Sequence, residues 1–240
     1  MAKNNERTQA QRIQTSILNP YEKKVLVWLA ERMPAWVTSD MLTFVGFLGS
    51  LVMFAGFCLA NLDIHWMWLS CFGLFLNWFG DSLDGSLARV RNTQRKTYGF
   101  FIDHTVDVIN EILMFVGVGV SPMVNLTIAL AALTGYLTLS VYVYIDCHLK
   151  GEMRLTYGSL GPTELRIIVV LVCMAYMYIP WLLKFKQHIV FFNNEFDLGI
   201  FDCICLAIAV ILVAFYIICF FKDAKYYARI DPARKPGQEP

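Results

Sequence analysis

The chain has 240 residues, of which 57% are hydrophobic and 16% charged, with a formal net charge of +1. Composition this apolar excludes an ordinary soluble domain of that size and makes a membrane protein the default expectation. So small a net charge says nothing about nucleic acid, and for a membrane protein no nucleic-acid partner is expected. Eighteen phenylalanines and six tryptophans suit the same class, because aromatic residues fill spans and anchor at the lipid interface. The seven cysteines (Cys58, Cys71, Cys147, Cys173, Cys203, Cys205 and Cys219) lie mostly in apolar stretches without a C-x-x-C spacing, so they read as small buried hydrophobes.

From the N-terminus, residues 1–14 are polar and read as disordered, as do residues 232–240. The polar and mixed lead-in carries no signal-peptide pattern. Between Tyr21 and Trp36, Val25, Trp28, Leu29 and Arg32 recur at helical spacing, with Glu22, Lys23, Lys24 and Glu31 elsewhere around the turn. This predicts a short interfacial helix on the membrane surface, ended by Pro34. Six apolar segments follow at about 41–61, 66–90, 98–120, 123–147, 163–183 and 198–221, each near the ~20 residues that cross a bilayer core. The fold class expected is therefore an all-α membrane protein, six transmembrane helices with an N-terminal amphipathic interfacial helix. Its parts are a cytoplasmic segment over 1–37, a six-helix catalytic domain over 38–222 and a cytoplasmic tail over 223–240.

Orientation follows from the positive-inside rule. With both termini cytoplasmic, that side receives Lys23 and Lys24, the connection carrying Arg89, Arg91, Arg95 and Lys96, then Lys150, Arg154 and Arg166, and the basic tail. Only Lys184 and Lys186 remain outside. The localisation expected is a multi-pass protein of a bacterial inner membrane or its equivalent. No internal repeat is evident.

The second and third apolar segments carry the chemistry. Gly80-Asp81-Ser82-Leu83-Asp84-Gly85-Ser86-Leu87-Ala88-Arg89 is followed, after a short basic connection, by Gly99-Phe100-Phe101-Ile102-Asp103-His104-Thr105-Val106-Asp107. An ionised side chain inside a membrane costs at least ~2.5 kcal/mol on insertion scales, so four carboxylates together call for compensating cations. Nearby basic residues are too few, and divalent metal ions meet the need. Asp81 and Asp84 stand at i and i+3, Asp103 and Asp107 at i and i+4, so each pair shares a helix face. Antiparallel helices with a short connection bring Asp84 and Asp103 to one depth. Hard carboxylate oxygens suit Mg²⁺ or Mn²⁺, and four side chains could bridge two ions. Gly85, Ala88 and Gly99 are small, which lets a nucleotide or a neighbouring backbone approach.

At these residues the sequence resembles the CDP-alcohol phosphotransferase family, whose signature runs D-x-x-D-G-x-x-A-R, then eight or nine residues, then G-x-x-x-D-x-x-x-D. Asp81, Asp84, Gly85, Ala88, Arg89, Gly99, Asp103 and Asp107 match every fixed position, with nine residues between Arg89 and Gly99. The resemblance implies transfer of a substituted phosphate from a CDP-linked donor to an alcohol with release of CMP, in a homodimeric membrane enzyme. It further implies Asp81, Asp84, Asp103 and Asp107 as metal ligands and Asp107 as the base. Asp84, Gly85, Ala88, Arg89 and Gly99 would border the CDP moiety. The stretch Thr38-Ser39-Asp40-Met41-Leu42-Thr43 departs from the family's T-P-N-x-L-T pattern, so nucleotide contacts are not carried over there.

The expected donor is CDP-diacylglycerol, and the acceptor a polar alcohol such as inositol phosphate or glycerol phosphate. Lys150, Arg154 and Arg166 are candidates for an acceptor-phosphate pocket, beside the simpler reading of membrane anchoring. The Asp103-His104 pair resembles choline and ethanolamine phosphotransferases, which supports the alternative of a CDP-amino alcohol donor and diacylglycerol acceptor. His104 itself reads as a packing histidine or as a proton relay. Glu111, one turn beyond Asp107, either tunes that carboxylate or pairs with a polar neighbour. A cation-coupled transporter is the non-enzymatic alternative, but it calls for acidic residues at successive depths, whereas these collect at one level.

Overall fold

A computed structural model describes residues 11–13, 18–150, 152–154, 162–191 and 194–232. Most of both polar ends expected to be disordered, residues 1–10, 14 and 233–240, lies outside the described residues. Within the first of them, β1 (Gln11–Ile13) pairs in parallel with β2 (Glu152–Arg154), placing Arg12 opposite Met153. Three residues of polar sequence can be ordered this way because the ladder uses backbone groups alone.

A helix, α1 (Asn19–Arg32), occupies the lead-in and opens on Pro20, whose missing N–H costs nothing in a first turn. Its buried residues are Leu26 and Ala30, whereas Tyr21, Val25 and Trp28 stand exposed. The helix thus has one apolar stripe against the protein and a second facing outward.

Six long helices follow in the six apolar segments: α2 (Ser39–Leu59), α3 (Met67–Val90), α4 (Lys96–Val120), α5 (Leu126–Lys150), α6 (Pro162–Tyr178) and α8 (Ile200–Ile230). Thr38 caps α2 by accepting the Met41 N–H at 3.3 Å. The fifth segment ends earlier than its hydropathy predicts, because Pro180 forces Ile179 out of helical geometry. A short α7 (Pro180–Lys184) and the antiparallel hairpin β3 (Lys186–Phe191) and β4 (Asn194–Gly199) complete that connection. The last helix runs well beyond residue 221, since good helix formers continue until Asp231 and Pro232. The tail expected from residue 223 therefore begins inside a helix. Among the described residues, α2, α5 and α8 are long and apolar enough to cross a membrane by length and composition alone. Helices α3 and α4 carry the acidic cluster, and α6 has 17 residues.

The most extensive packing joins α2 to α3. A Cβ on Gly49 would lie 2.4 Å from the Asn77 nitrogen, on Gly73 2.3 Å from the Met53 nitrogen, and on Gly80 2.3 Å from the Gly46 nitrogen. The two backbones touch because these positions carry no side chain. Polar groups sealed into the seam are satisfied there: Asn77 Nδ2 donates to the Gly46 carbonyl at 3.2 Å and to Ser50 Oγ at 3.0 Å, and Ser70 Oγ donates to the Met53 carbonyl at 3.0 Å. Helix α2 also packs on α4, so it serves as the common wall behind both acidic helices.

Candidate active site

Helix α3 ends in a tight reversal. Asn92, at φ 54°, adopts the left-handed conformation, and the amides of Asn92 and Thr93 return to the carbonyls of Arg89 at 3.2 Å and Ala88 at 3.0 Å. This is a Schellman closure, for which asparagine is the best substitute for glycine. Arg91 braces it from below, donating to the carbonyls of Met33 at 2.9 Å, Pro34 at 2.8 Å and Val37. Arg95 pairs with Asp40 at the start of α2. Two of the basic residues counted in this connection thus fix it against α1, α2 and the turn between them.

That connection sets the carboxylates. Single oxygens of Asp81 on α3 and of Asp103 and Asp107 on α4 all lie within 4.8 Å of one another, and each residue is partly buried. Arg166 reaches in from the second turn of α6 and donates through Nη2 to Asp81 Oδ2 at 2.7 Å. Asp84, the fourth expected ligand, faces α2 instead. Its Oδ2 accepts Thr43 Oγ1 at 2.5 Å, and its backbone carbonyl accepts Ser39 Oγ at 3.0 Å. Three clustered carboxylates offer hard oxygen donors with no soft ligand among them, which fits Mg²⁺ or Mn²⁺.

Over residues 36–228 the chain matches the family described as CDP-alcohol phosphatidyltransferase. The chain belongs to that family. Its similar relatives include human Cholinephosphotransferase 1, 24% identical over 165 residues, which is 65% of this chain and 40% of the relative. Bovine Cholinephosphotransferase 1 matches in the same way, at 24% over 166 residues. Phosphatidylinositol phosphate synthase from Cutibacterium acnes is 34% identical over 84 residues, 35% of this chain and 38% of that protein. The matches span about two fifths of the length of these relatives. As a member of the CDP-alcohol phosphatidyltransferase family with three helices apolar enough to cross a bilayer, the protein is an integral membrane protein.

The remaining family-signature residues lie on the same two helices, at the ends that the α3–α4 connection joins. A Cβ on Gly85 would meet nothing nearer than Arg89 Nη1 at 3.5 Å, and one on Gly99 would meet nothing within 4 Å. Gly99 therefore faces open space and Gly85 faces the Arg89 guanidinium at ordinary contact distance, unlike the glycines of the α2–α3 seam. Arg89 donates to Ser86 Oγ at 3.0 Å, and Ala88 lies one position before it on the last turn of α3. His104 Nδ1 lies 2.8 Å from the Phe100 carbonyl, its ring stacks on Phe100 with centroids 4.1 Å apart, and Tyr144 meets it edge-on at 5.2 Å. The same nitrogen approaches Asp103 Oδ2 only to 4.0 Å. Glu111 lies close to Tyr136 on α5, and its Oε2 is buried with no hydrogen-bond partner among the described residues.

The three basic acceptor candidates have separate settings. Arg166 is in the cluster. Lys150 lies against Asp146 at 2.8 Å and Asp223 at 3.2 Å, between α5 and α8, where Tyr227 also donates to Asp146 at 2.9 Å. Arg154 ends β2, and its side chain lies outside the described set.

Sequence reasoning missed three residues beside the cluster. Ser39 and Thr43 share one face of α2 at i and i+4, directly after the Thr38 cap, and that spacing was a usable signal. Glu22 on α1 had none, since its partners are 56 to 141 residues away.

Proposed function

We propose that this protein transfers a substituted phosphate from a CDP-linked donor to the hydroxyl of an alcohol, releasing CMP, within a six-span membrane fold. The observation that carries this reading is the convergence of Asp81, Asp103 and Asp107 from two helices, with the Arg166 guanidinium against Asp81. Asp81, Asp103 and Asp107 would hold Mg²⁺ or Mn²⁺, with Asp84 as an adjacent ligand for a second ion. Bound there, the ions supply charge neutralisation for pyrophosphate oxygens and for the CMP leaving group. Asp107 takes the proton from the attacking hydroxyl, and the open edges at Gly85 and Gly99 admit the cytidine diphosphate. Arg89 meets a donor phosphate. Thr43 holds Asp84 in a single rotamer and so keeps the α3 face ordered.

Arg166 supports a phosphorylated acceptor. It places a permanently charged, fork-shaped donor set inside the site, as a phosphate dianion requires. CDP-diacylglycerol with an inositol phosphate or glycerol phosphate is therefore the leading substrate pair, in line with the name of the Cutibacterium relative. The longer matches to the two cholinephosphotransferases favour the second reading, a CDP-amino alcohol and a lipid alcohol. Both termini and the site are assigned to the cytoplasmic side, and the working unit to a homodimer.

The test is CMP release by purified protein with Mg²⁺ or Mn²⁺, either CDP-diacylglycerol or CDP-choline, and a panel of alcohols. CMP should form from CDP-diacylglycerol with a phosphorylated polyol and not in a metal-free control. Release from CDP-choline alone reverses the substrate assignment, and release from no donor defeats the reading. Asp107→Asn keeps an oxygen but accepts no proton, so turnover should fall by roughly 10² or more while metal-dependent CDP binding persists. Near-normal turnover would make His104 the next base to test.

A further inference from the structure

Glu22 joins three elements through one oxygen. Its Oε1 accepts Trp78 Nε1 at 2.7 Å and Ser82 Oγ at 3.3 Å from α3, and Thr163 Oγ1 at 2.7 Å from α6. Ser82 is the residue after Asp81, and Trp78 lies one turn before it. Thr163 stands one turn before Arg166. The two residues that meet in the site, Asp81 and Arg166, are thus each carried by a helix turn that ends on Glu22. The amide of Leu18, just before α1, adds a second tie by donating to Glu164 Oε1 at 2.9 Å. Helices α3 and α6 share far less packing than α2 and α3, so few contacts fix their mutual position.

We propose that Glu22 is a positioning residue that sets Arg166 against Asp81. This rests on the reading of those two residues given above. A carboxylate oxygen with three donors from two helices fixes both distance and rotation between them, because each hydrogen bond is directional. Without it, the first turn of α6 is free to rotate, and the guanidinium leaves Asp81. Two consequences follow in opposite directions. Acceptor recognition suffers, because Arg166 no longer points into the site. Metal binding improves, because Asp81 loses the cation that competes for it. A residue that merely stabilised the fold would weaken both.

The experiment measures Mn²⁺ affinity by electron paramagnetic resonance, together with acceptor KM, for Glu22→Ala, Thr163→Val, Glu22→Gln and Arg166→Ala, and for Glu22→Ala combined with Arg166→Ala. Glu22→Ala and Thr163→Val should each tighten Mn²⁺ roughly three- to tenfold and raise acceptor KM roughly tenfold. Glu22→Gln keeps an acceptor oxygen and should lie close to the unaltered protein. In the Arg166→Ala background, Glu22→Ala should add nothing to either quantity. Thr163→Val keeps the test decisive should Glu22→Ala fail to fold. Unchanged or weaker Mn²⁺ binding in Thr163→Val, or an equal loss in both backgrounds, overturns the proposal while leaving the proposed function intact. No Mn²⁺ binding and no CMP release in the unaltered protein removes both readings.

Discussion

Helix α3 has two faces that use glycine for opposite ends. Toward α2, Gly73 and Gly80 sit where an added Cβ would fall within 2.3 Å of backbone nitrogen, and the surrounding polar groups are sealed and paired. Toward the carboxylate cluster, Gly85 has room for a methyl group, as does Gly99 across on α4. The first set removes side chains so that protein meets protein. The second removes them where an added methyl group would meet no backbone, which is the side on which the proposed function places the CDP moiety.

The largest effect expected from breaking this contrast is at the seam. Gly80→Val drives a branched side chain into the α2 backbone, and overpacking of this kind costs roughly 1–3 kcal/mol or more. The melting midpoint in detergent should fall and CMP release should drop at least about tenfold, since α2 also supplies the Thr43 contact. An unchanged midpoint would mean that the helices can separate at no cost.

An intermediate effect is expected where the seam meets the site. Thr43→Val removes the hydroxyl that donates to Asp84 but keeps the side-chain volume, at a cost of about 1–3 kcal/mol for a partly buried carboxylate left short of a donor. Expressed in kcat/KM, this is about a tenfold loss, which Thr43→Ser should largely restore. If serine does no better than valine, the hydroxyl is not what orders Asp84.

The smallest effect on stability belongs to the open face. Gly85→Ala should leave the melting midpoint unchanged or raise it slightly, because alanine is favoured over glycine within a helix by about 1 kcal/mol. The same variant should raise the donor KM several-fold if CDP occupies that space. A variant that is stable and keeps its donor KM would show that the open face is not the nucleotide side.

The sequence by itself determined the class, the six apolar segments and the reaction family, because each is written in local patterns. Apolar runs of about 20 residues report span length, and the i, i+3 and i, i+4 spacings of four aspartates report two helix faces. The three clustered carboxylates were legible for that reason. Their exact company was not. That Asp84 turns to Thr43, that Arg166 reaches Asp81, and that Lys150 belongs with Asp146 and Asp223 are outcomes of which helices adjoin. Glu22 shows the limit most clearly: a lone glutamate on a lead-in helix carries no pattern, and only the packing of α1 against α3 and α6 gives its oxygen three donors. The α2–α3 seam lies between these cases, since its glycines are visible in sequence, but only their alignment across two helices shows which of them the backbone contact requires. Periodicity fixes which face of a helix a residue occupies, whereas long-range hydrogen bonds depend on the placement of helices far apart in the chain, and that placement the tertiary structure alone decided.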